Sequence, residues 1–241
     1  MEIIADMHTH TVASGHAYST VNELARAARA KGLKALAVTD HGPALPGGPH
    51  LYHFGAMRFI PTWIEGVRIF RGVEANIIHA DGSIDMPEQY LAKLDFVMAG
   101  LHESCGFDHQ GIDRNTEAIL HAMANPRIKA ISHTGNPAFP VHFEELARVA
   151  MDTQTALEIN NSSFSISRKG SRPNCERLAE IIAGSGAPVI VGSDAHIAQG
   201  VGEFEEAIQL LEKMGIPAEQ VVNSSLERLL DFLGLDDIPE P

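Results

Sequence analysis

Short apolar, β-branched runs alternate with longer helical patterns along the whole chain, and this alternation limits the fold more than any other feature. Strands are predicted at Ile3–His8, Lys34–Thr39, Val67–Glu74, Asp95–His102, Ile128–His133, Ala156–Asn160 and Pro188–Gly192. A capping box at Thr20–Glu23 opens a helix that stops at Gly32. Further helical patterns fall near 86–94, 114–124, 143–152 and 173–184, and two more follow the last strand, near 203–213 and 218–233. Pro217 suits a first helical turn. The Gly- and Pro-rich stretch from Pro43 to Pro61 reads as a loop leading into a short helix. Strand, helix, strand, repeated in this way, is the pattern of a parallel sheet with crossover helices. A doubly wound sheet and a closed barrel both satisfy it. The 241 residues contain no linker-like stretch, low-complexity tract or repeat, so a single domain over 1–241 is expected. That length also suits one α/β barrel of roughly 250 residues.

The chain carries 13 histidines, and their positions matter more than their number. Metal-ligating residue types recur at the C-terminal end of strand after strand. The first strand ends in Asp6-Met-His8-Thr-His10 with His16 beyond it, the second in Thr39-Asp40-His41, the third in Glu74. The fourth ends in His102, the fifth in His133, and the seventh runs into Asp194 and His196. The steps from His8 to His41, Glu74, His102, His133 and Asp194 are 33, 33, 28, 31 and 61 residues, one strand–helix unit each and two for the last. In a parallel barrel all these ends reach one face, where active sites are built. Alternation lets Asp6, His8 and His10 share one strand face, and likewise Asp194 and His196. Gly72, Gly100 and Gly192 each precede a candidate by two residues and are expected to leave room for ions and water.

Seven histidines, one glutamate and one aspartate exceed what a single ion takes, so at least two metals are implied. Nitrogen and carboxylate donors without sulfur suit zinc, manganese or iron and suit magnesium or calcium poorly. Asp6 reads as an acceptor orienting a ligand histidine, and Asp40 as a structural or supporting acceptor. His50 and His53, in the Gly- and Pro-rich loop, read as structural or surface residues, with contact to substrate as the alternative. His102-Glu103 opens an H-E-x-x-H pattern, but Gly106 ends it, which excludes a zincin helix.

Composition removes several classes of function. The balance of 18 basic and 31 acidic residues gives −13, against a general affinity for nucleic acid or anionic membrane. Two cysteines, Cys105 and Cys175, make neither a disulfide framework nor a thiolate cluster. The first ten residues lack the pattern of a signal peptide, and no apolar run is long enough to span a bilayer, so a cytoplasmic location is expected.

The ordered set D-x-H-x-H at 6–10, TDH at 39–41, Glu74, His102, SH at 132–133 and SDAH at 193–196 resembles the PHP (polymerase and histidinol phosphatase) superfamily of metal-dependent hydrolases. HAYST at 16–20, RGVEANI at 71–77, GNP at 135–137, EINNSSF at 158–164 and SRKGS at 167–171 are similar to its stand-alone phosphatases of the YcdX type. The similarity covers nearly the whole chain; one departure is Thr134, where many relatives have proline. The resemblance implies a distorted seven-stranded, TIM-like (β/α) barrel with a trinuclear metal site at the C-terminal ends of its strands. It implies His8, His10, Glu74 and Asp194 on one ion, His16, His41 and His196 on a second, and bridging Glu74 with His102 and His133 on a third. It also implies a homo-oligomer, a trimer in relatives.

Three divalent ions, zinc foremost with manganese or iron as alternatives, suit a phosphate monoester that a metal-bound hydroxide attacks in line. Asp194, His196 and Glu74 are then the candidate catalytic residues. Arg168 and Lys169, in a small basic cluster with Arg172, are candidates for holding the phosphate of a small phosphorylated substrate. The rival readings are a histidinol-phosphate phosphatase, a 3′–5′ exonuclease-type phosphodiesterase, and a non-catalytic metal-binding or partner-binding module. Net charge and the lack of an aromatic and basic groove count against the exonuclease. The complete ligand set counts against the non-catalytic module. An amidohydrolase would carry a modified lysine at a strand end, and none stands there.

Overall fold

The computed structural model describes residues 1–165 and 167–240. Its strands are β1 (Ala5–Asp6), β2 (Ala35–Val38), β3 (Trp63–Ile64), β4 (Val67–Asn76), β5 (Phe96–Gly100), β6 (Ala130–Ile131), β7 (Ala156–Asn160) and β8 (Val189–Gly192). Seven of them pair in parallel in the order β1-β2-β4-β5-β6-β7-β8, each lying within or across a predicted strand. β3 is the addition: it pairs antiparallel with β4 through Glu65 and Gly66. Both turn residues have positive φ, 55° and 75°. That is the backbone of a type I′ hairpin, and Glu-Gly is a weak signal for it in sequence.

The helices are α1 (Val21–Ala30), α2 (Leu51–Ala56), α3 (Glu88–Leu91), α4 (Ile112–Met123), α5 (Phe143–Thr153), α6 (Arg172–Ser185), α7 (Glu205–Lys213) and α8 (Leu226–Leu233). The Thr20–Glu23 capping box forms, with Thr20 and Glu23 satisfying one another's backbone donors. The single helix expected over 218–233 is broken. Residues 218–220 and 222–224 are short 3₁₀ turns, and α8 starts only after Ser225, whose side chain caps Arg228 N at 3.2 Å.

Asn223 supplies the physical reason for the break. Its Nδ2 donates to the carbonyls of Ala5 and Val191, both at 2.8 Å, and its Oδ1 accepts Val191 N at 3.1 Å. One buried side chain thus bridges β1 and β8 where those strands do not pair. Higher up, Asp194 N reaches His8 O and His10 N reaches Ala195 O, both at 2.9 Å. These bonds nearly close the barrel.

Two apolar clusters hold the layers. One lies between the sheet and the outer helices. The other fills the barrel axis with one or two side chains per strand: Ala5, Ala35, Ala37, Phe70, Phe96, Met98, Ala130, Ala156 and Ile190. Leu226, Leu229, Leu230 and Leu233 of α8, spaced i, i+3, i+4 and i+7, plug its lower end. Each fully buried leucine of this kind stabilises the fold by about 1.5–3 kcal/mol. No helix among the described residues is long and apolar enough to cross a membrane.

Candidate metal centre

Alternation carries the axial face from this apolar plug upward to the chemistry. Inward Ala35 and Ala37 continue to His41, Phe70 to Glu74, Phe96 and Met98 to His102, Ala156 to Glu158, and Ile190 to Asp194. Two strands break the pattern. Met7 and the adjacent His8 both face the interior, the shift coming just past the end of β1. His133 turns inward beside Ser132 by adopting a left-handed backbone, φ 33°, and Asp194 is left-handed too, φ 58°. Non-glycine residues seldom hold this conformation, and where they do the surroundings enforce it.

Glu74 sits at the centre, fully buried. Its Oε1 lies 2.7 Å from His133 Nε2 and 3.1 Å from His102 Nε2. Its Oε2 lies 3.0 Å from His41 Nδ1, 3.1 Å from His8 Nε2 and 3.5 Å from His10 Nε2. Asp194 Oδ1 is 3.2 Å from His10 Nε2 and 3.5 Å from His8 Nε2. His16 and His196 meet Nε2 to Nε2 at 3.0 Å at the mouth. All nine residues expected as ligands are therefore brought together. Three sets have ligand atoms all within 4.8 Å of one another: His8, His10 and Asp194; His10, His41 and His196; and His41, Glu74 and His102. The second and third cut across the groupings that the family resemblance implies.

The donor atoms fit divalent ions. Glu74 Oε2, Asp194 Oδ1 and His41 Nδ1 are buried without a hydrogen-bond partner. Such orphaned acceptors are costly unless a cation satisfies them. Several imidazoles have Nδ1 committed elsewhere: His8 to Glu158 Oε1 at 2.7 Å, His16 to Ser14 O at 2.9 Å, His196 to Asp194 O at 2.9 Å. A ring that donates through Nδ1 presents a lone pair at Nε2, the arrangement common behind metal-bound histidines. Among the described residues the cluster has no sulfur donor, and Cys105 Sγ turns to Asn76 Oδ1 at 3.4 Å.

Electrostatics point the same way. Burial raises the Glu74 carboxyl, but the imidazoles of His8, His41, His102 and His133 outweigh it and hold it well below the usual range. Asp194 is likewise held low against burial, by His8 and Arg168 above all. Burial keeps His41 far below its ordinary value and lowers His10, while burial and Arg168 bring His133 down to about 4. These rings are neutral near pH 7 and have lone pairs to give. His8 is the exception: against burial, the carboxylates of Glu158, Glu74 and Asp194 raise it well above 6.5.

Several supporting residues differ from expectation. Asp6 orients no imidazole and does not share a face with His8 and His10. It accepts Ser193 N at 3.1 Å, Ser193 Oγ at 2.5 Å and Gly202 N at 2.9 Å, and so pins the start of the 193–196 segment. Glu158, which sequence reasoning missed, holds the His8 ring instead. Its other oxygen accepts His133 N at 2.8 Å. The available signal was its place two residues before the end of a strand, on the inward face.

The three glycines leave no room for ions. A Cβ at 192 would stand 2.4 Å from His8 Cβ and 2.5 Å from Glu158 Oε1, and one at 100 would stand 2.2 Å from Ser132 Oγ. A Cβ at 72 would meet the Phe96 carbonyl at 2.8 Å. They admit neighbouring protein groups. Asp40 accepts from Thr11 N, Thr11 Oγ1 and Ser14 Oγ at 2.7–2.8 Å, and lies 3.2 Å from His53 Nε2. His53 is thereby turned away from the cleft, and His50 caps α2. Arg168 donates through both terminal nitrogens to Asp194 Oδ2, each at 3.0 Å. It lines a cleft of about 1050 Å³ over the cluster; Lys169 is exposed and does not line that cleft. Arg172 pairs with Glu206.

A nearly closed parallel barrel whose upper mouth gathers histidines and carboxylates that could hold metal ions defines the class to which this protein belongs. Within that class, the chain belongs to the PHP family, whose PHP domain model matches residues 6–214. It is 50% identical over 231 residues to a protein of Syntrophotalea carbinolica named "Probable phosphatase", covering 96% of each chain. It is 46% identical over 233 residues to one of the same name from Acetivibrio thermocellus, covering 97% of this chain and 96% of the other. The fold matches a crystal structure of histidinol phosphate phosphatase from Lactococcus lactis, complexed with zinc, L-histidinol and phosphate. That match has a TM-score of 0.61 and 17% identity over 90% of this chain and 95% of the other.

Proposed function

We propose that this chain is a metal-dependent phosphatase that hydrolyses small phosphate monoesters, with three divalent ions, zinc foremost, held by the nine clustered residues. The observation that carries this reading is Glu74. Each of its oxygens faces a different group of imidazoles, the arrangement of a carboxylate shared between ions. When bound, such ions neutralise charge growing on the phosphoryl oxygens and bring the pKa of water towards neutrality. The protein's own groups supply the rest. Asp194 Oδ2 is fixed by Arg168 and by Asn160 Nδ2 at 3.3 Å, which holds Oδ1 towards His8 and His10, where it would serve as a metal donor. The Arg168 guanidinium, at the cleft wall, has further donors for a phosphate oxygen.

The mouth favours a small monoester over nucleic acid. Glu103, Glu203, Glu205 and Glu206 line it, and Arg168 is the one arginine or lysine among the described lining residues. A rim of this sign repels a polyanionic strand, whose binding rests on many basic contacts. The test is phosphate release from a panel of small monoesters that includes histidinol phosphate, using zinc- or manganese-loaded protein. Chelated protein and Asp194→Ala serve as controls. Release that needs metal and is lost in Asp194→Ala is the expected result. No release from fully loaded protein would overturn the reading.

A further inference from the structure

Ser14 touches three of the clustered histidines although it is not one of the clustered donors. It is fully buried, at the end of a short 3₁₀ turn over Val12–Ser14. Its Oγ lies 2.8 Å from Asp40 Oδ1, 3.2 Å from His10 Nδ1 and 3.2 Å from His41 N. Its carbonyl lies 2.9 Å from His16 Nδ1.

Counting protons settles the direction of each bond. A serine hydroxyl has one proton and two lone pairs. Asp40 Oδ1, the oxygen beside Ser14, already accepts Thr11 N, which can only donate, and Oδ2 faces the Thr11 hydroxyl and His53 Nε2. Asp40 is therefore an acceptor, and the Ser14 proton goes to it. One Ser14 lone pair takes His41 N–H, which can only donate. The other faces His10 Nδ1 and can only accept, so His10 carries its proton at Nδ1. The His10 Nε2 lone pair is thereby aimed at the space shared with His8, Glu74 and Asp194. The peptide carbonyl imposes the same tautomer on His16.

We infer that Ser14 is a positioning residue that sets the His10 tautomer through its hydroxyl and the His16 tautomer through its carbonyl, and so prepares the outer part of the cluster for divalent metal. The link to metal rests on the ligand reading above; the tautomer assignment does not. The experiment is ¹⁵N NMR of the histidine rings in metal-free protein, at alkaline pH where the rings are neutral. A zinc titration against a chromophoric chelator accompanies it.

In the unmodified protein His10 and His16 should carry their protons on Nδ1. Ser14→Ala should let the His10 proton move partly to Nε2, leave His16 unchanged and weaken zinc binding 10–100-fold. Ser14→Thr, which keeps the hydroxyl, should retain the original His10 signal. A His10 proton on Nε2 in the unmodified protein overturns the inference, and this observation needs no variant to fold. An unchanged His10 signal in Ser14→Ala overturns it too. Failure of the unmodified protein to take zinc would instead sink the metal reading, while the NMR result would still decide the role of Ser14.

Discussion

Glu158→Gln changes one oxygen to nitrogen, yet it should cost the protein a metal ligand. Glu158 is almost wholly buried and accepts three times: His8 Nδ1 at 2.7 Å on Oε1, and His133 N at 2.8 Å with Asn160 Nδ2 at 3.2 Å on Oε2. A glutamine has the same shape but one accepting oxygen. Suppose that oxygen stays with His133 N and Asn160. The new NH₂ then faces His8 Nδ1, which must become an acceptor, so the neutral ring that a metal requires carries its proton on Nε2. That nitrogen is the one pointing at Glu74, His10 and Asp194. Losing its lone pair should weaken metal binding about 10–100-fold, as removal of a ligand's supporting partner typically does. In free energy this is roughly 1.4–2.8 kcal/mol. Suppose instead that the amide flips. Its NH₂ then meets His133 N–H and Asn160, leaving buried donors unpaired at a cost of about 1–3 kcal/mol in stability. Zinc competition titration reads the first outcome, and urea unfolding of the chelated protein reads the second. A variant with unchanged zinc affinity and unchanged unfolding would refute the argument.

Three further outcomes follow from the same geometry. Gly192→Ala places a Cβ against His8 and Glu158 and should lower stability by about 1–3 kcal/mol, whereas Gly184→Ala, with nothing within 4 Å, should not destabilise; thermal unfolding compares them. His8, raised by Glu158, Glu74 and Asp194 against burial, carries a proton near pH 7 in metal-free protein. Its contribution to stability is complete below about 6.5 and is lost as pH rises through the raised value. Zinc loading at pH 7 should expel that proton, and calorimetry in two buffers of different ionisation heat should show release; no release contradicts a protonated His8. Arg168→Ala should raise KM for phosphate esters roughly 10–100-fold, the worth of a charged hydrogen bond; an unchanged KM removes Arg168 from the phosphate site.

The parts of the site that follow strict alternation were legible in sequence. His41, Glu74, His102 and Asp194 continue the inward positions of their strands, and their spacing in units of one strand and one helix gathers them at one end. His8 and His133 were found by residue type, not by phase: each sits beside another inward residue, and the backbone shift that permits this leaves no pattern in sequence. Glu158 was hidden because a glutamate inside a strand looks like any other strand residue until its neighbours are known. Asn223 was hidden for a related reason. It lies in a helix-like stretch, and its demand for two carbonyls and an amide across the β1–β8 seam outweighs local propensity. Asp6 shows the reverse error, since a carboxylate two residues before a histidine shares its face only while the strand stays regular.

The central claim is that nine side chains form one centre for several ions around a shared Glu74. Native mass spectrometry of protein loaded with zinc and freed of excess metal counts those ions directly. Three ions per chain is the predicted result, with fewer bound by Glu74→Ala of intact fold. One ion or none on the unmodified chain would contradict the account.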